Sequence, residues 1–123
     1  MRSSSRPSLL RRIGNSWRAR GKKPGTVDIV PDGFVFARGR RTTRMRWEDV
    51  IQIDGGVRDT LSIDLFFVVF HAADAKVEID EFDDGFRLLE YGALERWPAL
   101  RERWVALQCA PPHQPQYEIL WRR

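Results

Sequence analysis

From Thr26 to Phe82, apolar and polar residues alternate in short runs separated by turn-forming residues, the pattern of strands with one buried face. "TVDIV", Thr26 to Val30, places Val27 and Ile29 on one side. "PDG" then turns the chain, with Pro31 where φ must be fixed and Gly33 where φ is often positive. "FVFA" returns as a second strand, so residues 27–37 read as a hairpin. "RGR" makes the next turn, and a third strand runs from Arg41 to Trp47.

In that third strand Arg40, Thr42, Arg44 and Arg46 line one face, and Thr43, Met45 and Trp47 the other. Glu48 and Asp49 form a short acidic turn, and Val50, Ile51 and Ile53 begin a fourth strand that Gly55–Gly56 is expected to break. Leu61 to Phe70, "LSIDLFFVVF", alternates and then becomes continuously apolar, as a strand buried on both faces does. "KVEIDEF" alternates again, with Val77, Ile79 and Phe82 inward.

The period then changes. Phe86, Leu89, Ala93, Leu94 and Trp97 recur at helical spacing, with Asp83 or Asp84 as the expected N-cap. Pro98 interrupts and is tolerated as the first residue of a second helical segment, whose stripe is Leu100, Trp104 and Leu107. "APPHQPQ" reads as a Pro-rich linker, and "YEILWRR" as a strand-like end with Tyr117, Ile119 and Trp121 on one side. Strands segregated from the helix predict an α+β fold. The expected form is a strongly bent antiparallel sheet or partly open barrel of about six to seven strands, packed by a C-terminal amphipathic helix.

Length and charge refine this. A chain of 123 residues is one domain. Its organisation reads as a basic arm over residues 1–23, a folded body over 24–110, and a linker with a strand-like tail over 111–123. The formal net charge of +4 conceals a split: residues 1–23 hold eight Lys or Arg and no acid, whereas the remainder carries thirteen basic and seventeen acidic residues. Within the arm, Leu10, Ile13 and Trp17 fall at i, i+3 and i+7 among arginines, the spacing of a basic helix lying in a membrane interface or docking on a partner. The same composition also fits a transit peptide. Gly14, Asn15 and Ser16 weaken a helix there, which equally fits a solvated arm.

The order of elements resembles the pleckstrin-homology-like superfold, in particular the small bacterial PH-like and GRAM-like domains. The resemblance rests on "VDIVPDGFVF", on the "MRWEDVIQI" junction, and on "VEIDEFDDGFRLLE" leading into the helix, and it covers about Thr26 to Leu107. It implies a scaffold that serves lipid, peptide or protein partners. Where such domains bind phosphoinositides, basic residues usually sit on the first hairpin. Here that turn is "PDG", and the arginines come one turn later, at Arg38, Arg40, Arg41, Arg44 and Arg46. The departure points to a general anionic surface in place of a head-group pocket.

Enzymatic chemistry finds no support. Asp80, Asp84 and Gly85 match three positions of a calcium loop, but Phe82 and Tyr91 stand where the cation needs oxygen ligands. His71, His113 and the single Cys109 have no zinc spacing, and a lone cysteine rules out an internal disulfide framework. Ser62, Asp64 and His71 lack a nucleophile elbow. No metal, cofactor or small-molecule substrate is expected.

The sequence therefore reads as a non-enzymatic binding or adaptor domain, cytoplasmic or peripheral at a membrane, that docks a protein partner or an anionic membrane surface. Arg38, Arg40, Arg41, Arg44 and Arg46 are its candidate anion contacts. Leu10, Ile13, Trp17, Arg11, Arg12, Arg18, Lys22, Lys23 and Trp121 are its candidate docking residues. Two alternatives use other features. One is sequence-independent nucleic-acid binding through the arm and Arg38–Arg46. The other is an immunity-type inhibitor presenting Asp80, Glu81, Asp83 and Asp84 to its target.

Overall fold

The computed structural model describes residues 23–60, 63–111 and 116–123. Seven strands form two antiparallel sheets, and two helices complete an α+β fold. The first sheet has the order β1 (Thr26–Val30), β2 (Gly33–Arg38), β3 (Arg41–Arg46). The second has the order β6 (Lys76–Asp80), β5 (Asp64–His71), β4 (Gln52–Asp59), β7 (Gln116–Arg122). The sheets stay separate, so the strands do not close into a barrel.

The alternation of the first three strands decides which side chains go inward. Val27, Phe34, Phe36 and Met45 are buried, whereas Arg40, Thr42, Arg44 and Arg46 are exposed, as their spacing predicts. Gly33 does not serve a positive φ. It pairs with Val30 and Arg46 inside the ladder, and a Cβ there would stand 2.0 Å from the Met45 carbonyl oxygen. Close backbone approach is what selects glycine. The tight β2–β3 turn does need the left-handed region, and Gly39 supplies it at φ 62°.

β4 runs unbroken through Gly55–Gly56, contrary to the expected break. A Cβ on Gly55 would meet Leu120 Cδ1 at 2.7 Å and Leu107 Cδ2 at 2.9 Å, and one on Gly56 would meet the Phe67 ring at 2.3 Å. The two missing side chains make room for α2 and β7 on one face and for Phe67 on the other. Glycine here is a packing device.

The predicted helical stripe divides at Trp97–Pro98 into α1 (Phe86–Arg96) and α2 (Arg101–Gln108), with a single 3-10 turn, Pro98–Leu100, between them. Phe86, Leu89, Ala93 and Leu94 bury one face of α1, and Trp104 and Leu107 that of α2. Glu90 joins the helices, accepting hydrogen bonds from Trp104 Nε1 at 2.7 Å and Gln108 Nε2 at 2.9 Å. The N-cap of α1 is Gly85, at φ 88°, and neither Asp83 nor Asp84 caps it with a side chain.

The helices are followed by β7, which hydrogen-bonds along β4, so the chain 116–122 belongs to the folded body and is no separate tail. A bulge between Ile53 and Asp54 pairs Ile53 with Trp121 and Asp54 with Ile119. Trp121 therefore turns toward the core with Leu120, away from the side that Tyr117 occupies. It is half-buried, its ring 5.0 Å from Trp97, and Trp97 in turn stands 5.7 Å from Trp47.

One core results. Phe34 of the first sheet meets Phe70 of the second at 5.1 Å, and Trp104 of α2 meets Phe66 at 5.6 Å. The first sheet and both helices thus cover the same face of the second sheet.

Candidate functional site

The five arginines of residues 38–46 fall into three groups. Arg38 ends β2 on the inner side, opposite Arg41 in the ladder and on the other face from Arg44 and Arg46. Its guanidinium donates to both carboxylate oxygens of Asp83, at 3.2 and 3.4 Å. Arg44 pairs with Asp32 at 2.7 Å, and Arg46 pairs with Asp32 at 3.5 Å and with Glu48. Two arginines and two carboxylates thus neutralise one another along the exposed face of β3. Arg40 and Arg41 occupy the β2–β3 turn, are exposed, and have no carboxylate of the described residues within ion-pair distance. Of the five arginines, the two of this turn are the ones without an ion pair among the described residues.

The register of β1 adds a neighbour. Thr26 pairs with Ala37, so the chain preceding β1 leads out beside the Arg38–Arg41 turn, and exposed Lys23 sits at that end. Lys23, Arg40 and Arg41 form a basic end to the first sheet. Leu10, Arg11, Arg12, Ile13, Trp17, Arg18 and Lys22 lie outside the described residues.

Asp83, expected as a helix cap or a surface acid, is buried at 4% exposure. Its carboxylate accepts the backbone N–H of Gly25 at 2.6 Å and of Asp80 at 2.9 Å, besides Arg38. The backbone repeats the link: Asp84 N–H donates to the Gly25 carbonyl at 2.9 Å, and Val27 N–H to the Asp84 carbonyl at 2.8 Å. Asp83 is the joint between the two sheets. Asp80 is buried as well, at 6%. Of the four acids read as a partner-facing surface, only Asp84 is exposed.

A polar cluster that the sequence reading missed lies across β4, β5 and β7. The buried Asp54 carboxylate accepts from the Tyr117 hydroxyl, from Gln52 Nε2 at 2.8 Å, and contacts His71 Nε2 at 2.7 Å. Burial pushes the Asp54 carboxyl up, but the hydrogen bonds of Tyr117, Gln52 and His71 and the charge of His71 outweigh it, holding the group below its ordinary 3.8. The same bond to Asp54, then burial and the charges of Asp54 and Glu78, push the Tyr117 hydroxyl up to about 12. Three strands are pinned by one carboxylate. The partners lie 17 and 63 residues from Asp54, so no local spacing announces them.

Asp64 and His71 stand at opposite ends of β5, paired with Asp59 and Gln52 respectively. Seven residues of strand separate them by about 23 Å, which excludes them from a common triad. Ser62 and His113 lie outside the described residues. Cys109 is exposed just after α2. Among the described residues no group of three or more His, Cys, Asp or Glu is placed to hold a metal ion, and no helix is long and apolar enough to cross a membrane.

Compared with protein-family models, curated proteins and solved structures, the chain matches none.

Proposed function

We propose that this chain is a non-enzymatic docking domain, built on a PH-like plan, whose basic end seats on an anionic membrane surface. The observation that carries the reading is the pairing of Thr26 with Ala37, which sets Lys23 beside the exposed Arg40–Arg41 turn. The arm continues that charge, with Arg11, Arg12, Arg18 and Lys22 among its eight basic residues. Arg44 and Arg46 take a smaller part, because Asp32 and Glu48 already neutralise them. Support for the PH-like plan is the division of seven antiparallel strands into two sheets with helical cover on one side. In this chain the last strand follows the helices.

Each basic residue held near an anionic bilayer contributes about 1 kcal/mol. Replacing Arg40 and Arg41 with Glu removes at least two such contacts, an expected weakening of about thirty-fold. The test is flotation of the full chain with phosphatidylserine-containing vesicles at low and high salt, beside the R40E/R41E variant and neutral vesicles. Flotation that needs anionic lipid, fades with salt and drops in the variant supports the reading. Absence of flotation, or flotation indifferent to the variant, overturns it and favours a protein partner.

A further inference from the structure

The second sheet has two faces, and the first sheet and both helices cover only one of them. That face carries Phe66, Val68 and Phe70. The other carries Leu65, Phe67 and Val69, whose exposures are 0, 6 and 6%. Among the described residues, no helix or second sheet is laid over this layer. The described side chains beside it are Arg58, with its guanidinium 4.0 Å above the Phe67 ring, and Tyr117, its ring 6.2 Å away. Alternation places acids around the same layer: Asp54 and Glu78 are the pairing partners of Val69, and Asp80 that of Phe67. These acids are already held, Asp54 by Tyr117, Gln52 and His71, Glu78 by Arg58 and Asp80 by the Phe82 N–H, so the face is an apolar strip edged by paired polar groups.

We infer that residues 1–22 of this same chain dock on that face, with Leu10, Ile13 and Trp17 against Leu65, Phe67 and Val69. Two observations converge on this occupant. The first is where the arm joins the body. Gly25 is hydrogen-bonded to Asp83, three residues beyond Asp80, and Asp80 pairs with Phe67. The arm thus starts at the rim of the strip. The second is length. Leu10 to Trp17 spans about 10 Å as a helix and Leu65 to Val69 about 13 Å as a strand, while the five residues joining Trp17 to Lys23 reach up to about 18 Å. The other undescribed segments, 61–62 and 112–115, are far shorter.

This assigns the arm's apolar stripe to the protein's own sheet, and it stands apart from the membrane reading, which rests on the arginine turn at the first sheet. Failure of vesicle flotation leaves it untouched. Docking of this kind leaves the arm's charge available and removes its apolar residues from any bilayer.

The test keeps the full chain. Cys109 is replaced by Ser, Ile13 by Cys, and a nitroxide is attached at position 13; amide signals are then compared with the reduced, diamagnetic form. The expected result is a loss of intensity confined to β5, β6 and Tyr117, sparing β2 and β3. The loss should disappear in the additional L10D/W17D variant, whose undisturbed β2 and β3 signals report that the body is folded. Broadening spread evenly over the surface, or absent from β5 and β6, overturns the inference. When β5 and β6 do broaden, a sample mixing labelled and isotope-enriched copies separates docking within one chain from docking between copies. Broadening of the enriched copy there means exchange between molecules, and overturns docking within one chain.

Discussion

Asp54 and Tyr117 show how a single side chain fixes the pH range of a sheet. Tyr117 holds its proton more tightly in the fold, up to about 12 against an ordinary 10.0. Its contribution is therefore complete below pH 10 and is lost as pH rises from 10 towards 12, where the unfolded chain deprotonates first. Asp54 works at the other end, and its contribution fades as pH falls below 3.8. Tyr117 is 60% exposed, so solvent screens the bond and Tyr117→Phe should cost only about 1 kcal/mol at neutral pH. Urea midpoints measured from pH 7 to 12 should show the wild type converging on the variant at the alkaline end. Parallel curves would mean that the bond contributes no linkage. Nothing local in "IQIDGG" or "QYEILW" announces the cluster, because its members meet only once the sheet is paired.

At the scale of elements, the glycines separate what alternation reveals from what it hides. Period-two patterning located β1, β2, β3 and β6 and the arginine face of β3 correctly, because each has one wet side. It failed at Gly55–Gly56, where a turn signal sits inside a strand, since sequence does not show that Leu107 and Leu120 will press from one side and Phe67 from the other. Gly56→Ala would bring a Cβ to 2.3 Å from the Phe67 ring and 2.9 Å from the Gln116 carbonyl oxygen. Such overpacking costs about 1–3 kcal/mol. The expected readout is a lower urea midpoint, with amide exchange accelerated in β4, β5 and β7 more than in the first sheet; an unchanged midpoint would show that the ring moves aside without cost. The bulge at Ile53–Asp54 hides in the same way. Strict alternation puts Trp121 beside Tyr117, and the extra residue turns it inward.

For the whole molecule, the telling residue is Asp83. Beyond a single backbone bridge of Thr26 with Asp84 the two sheets share no strand pair, so their relative placement depends on the core, on that bridge and on this carboxylate, which gathers Gly25, Arg38 and Asp80. Asp83→Ala strands two backbone donors and a half-buried guanidinium, and should cost about 3 kcal/mol or more. Arg38→Ala, which leaves the two N–H bonds intact, should cost about 1 kcal/mol. Equal losses in the two variants, read from urea midpoints, would make the ion pair the dominant contact and the backbone bonds minor. From sequence, Asp83 looked like its neighbour Asp84. Burial alone distinguishes them, and burial is set by the path of residues 80–85 past the start of β1.

The pairing of β7 with β4 has a consequence for biosynthesis. Translation delivers β4, β5 and β6 long before residues 116–122, and until then β4 presents an open edge. A ribosome that stops between Cys109 and Gln116 would release a polypeptide holding most of the core residues and lacking the strand that seals them. Such a product is a target for proteolysis, and its bare edge is a template for strand addition from another copy. Quality control of this protein is thus tied to the arrival of β7.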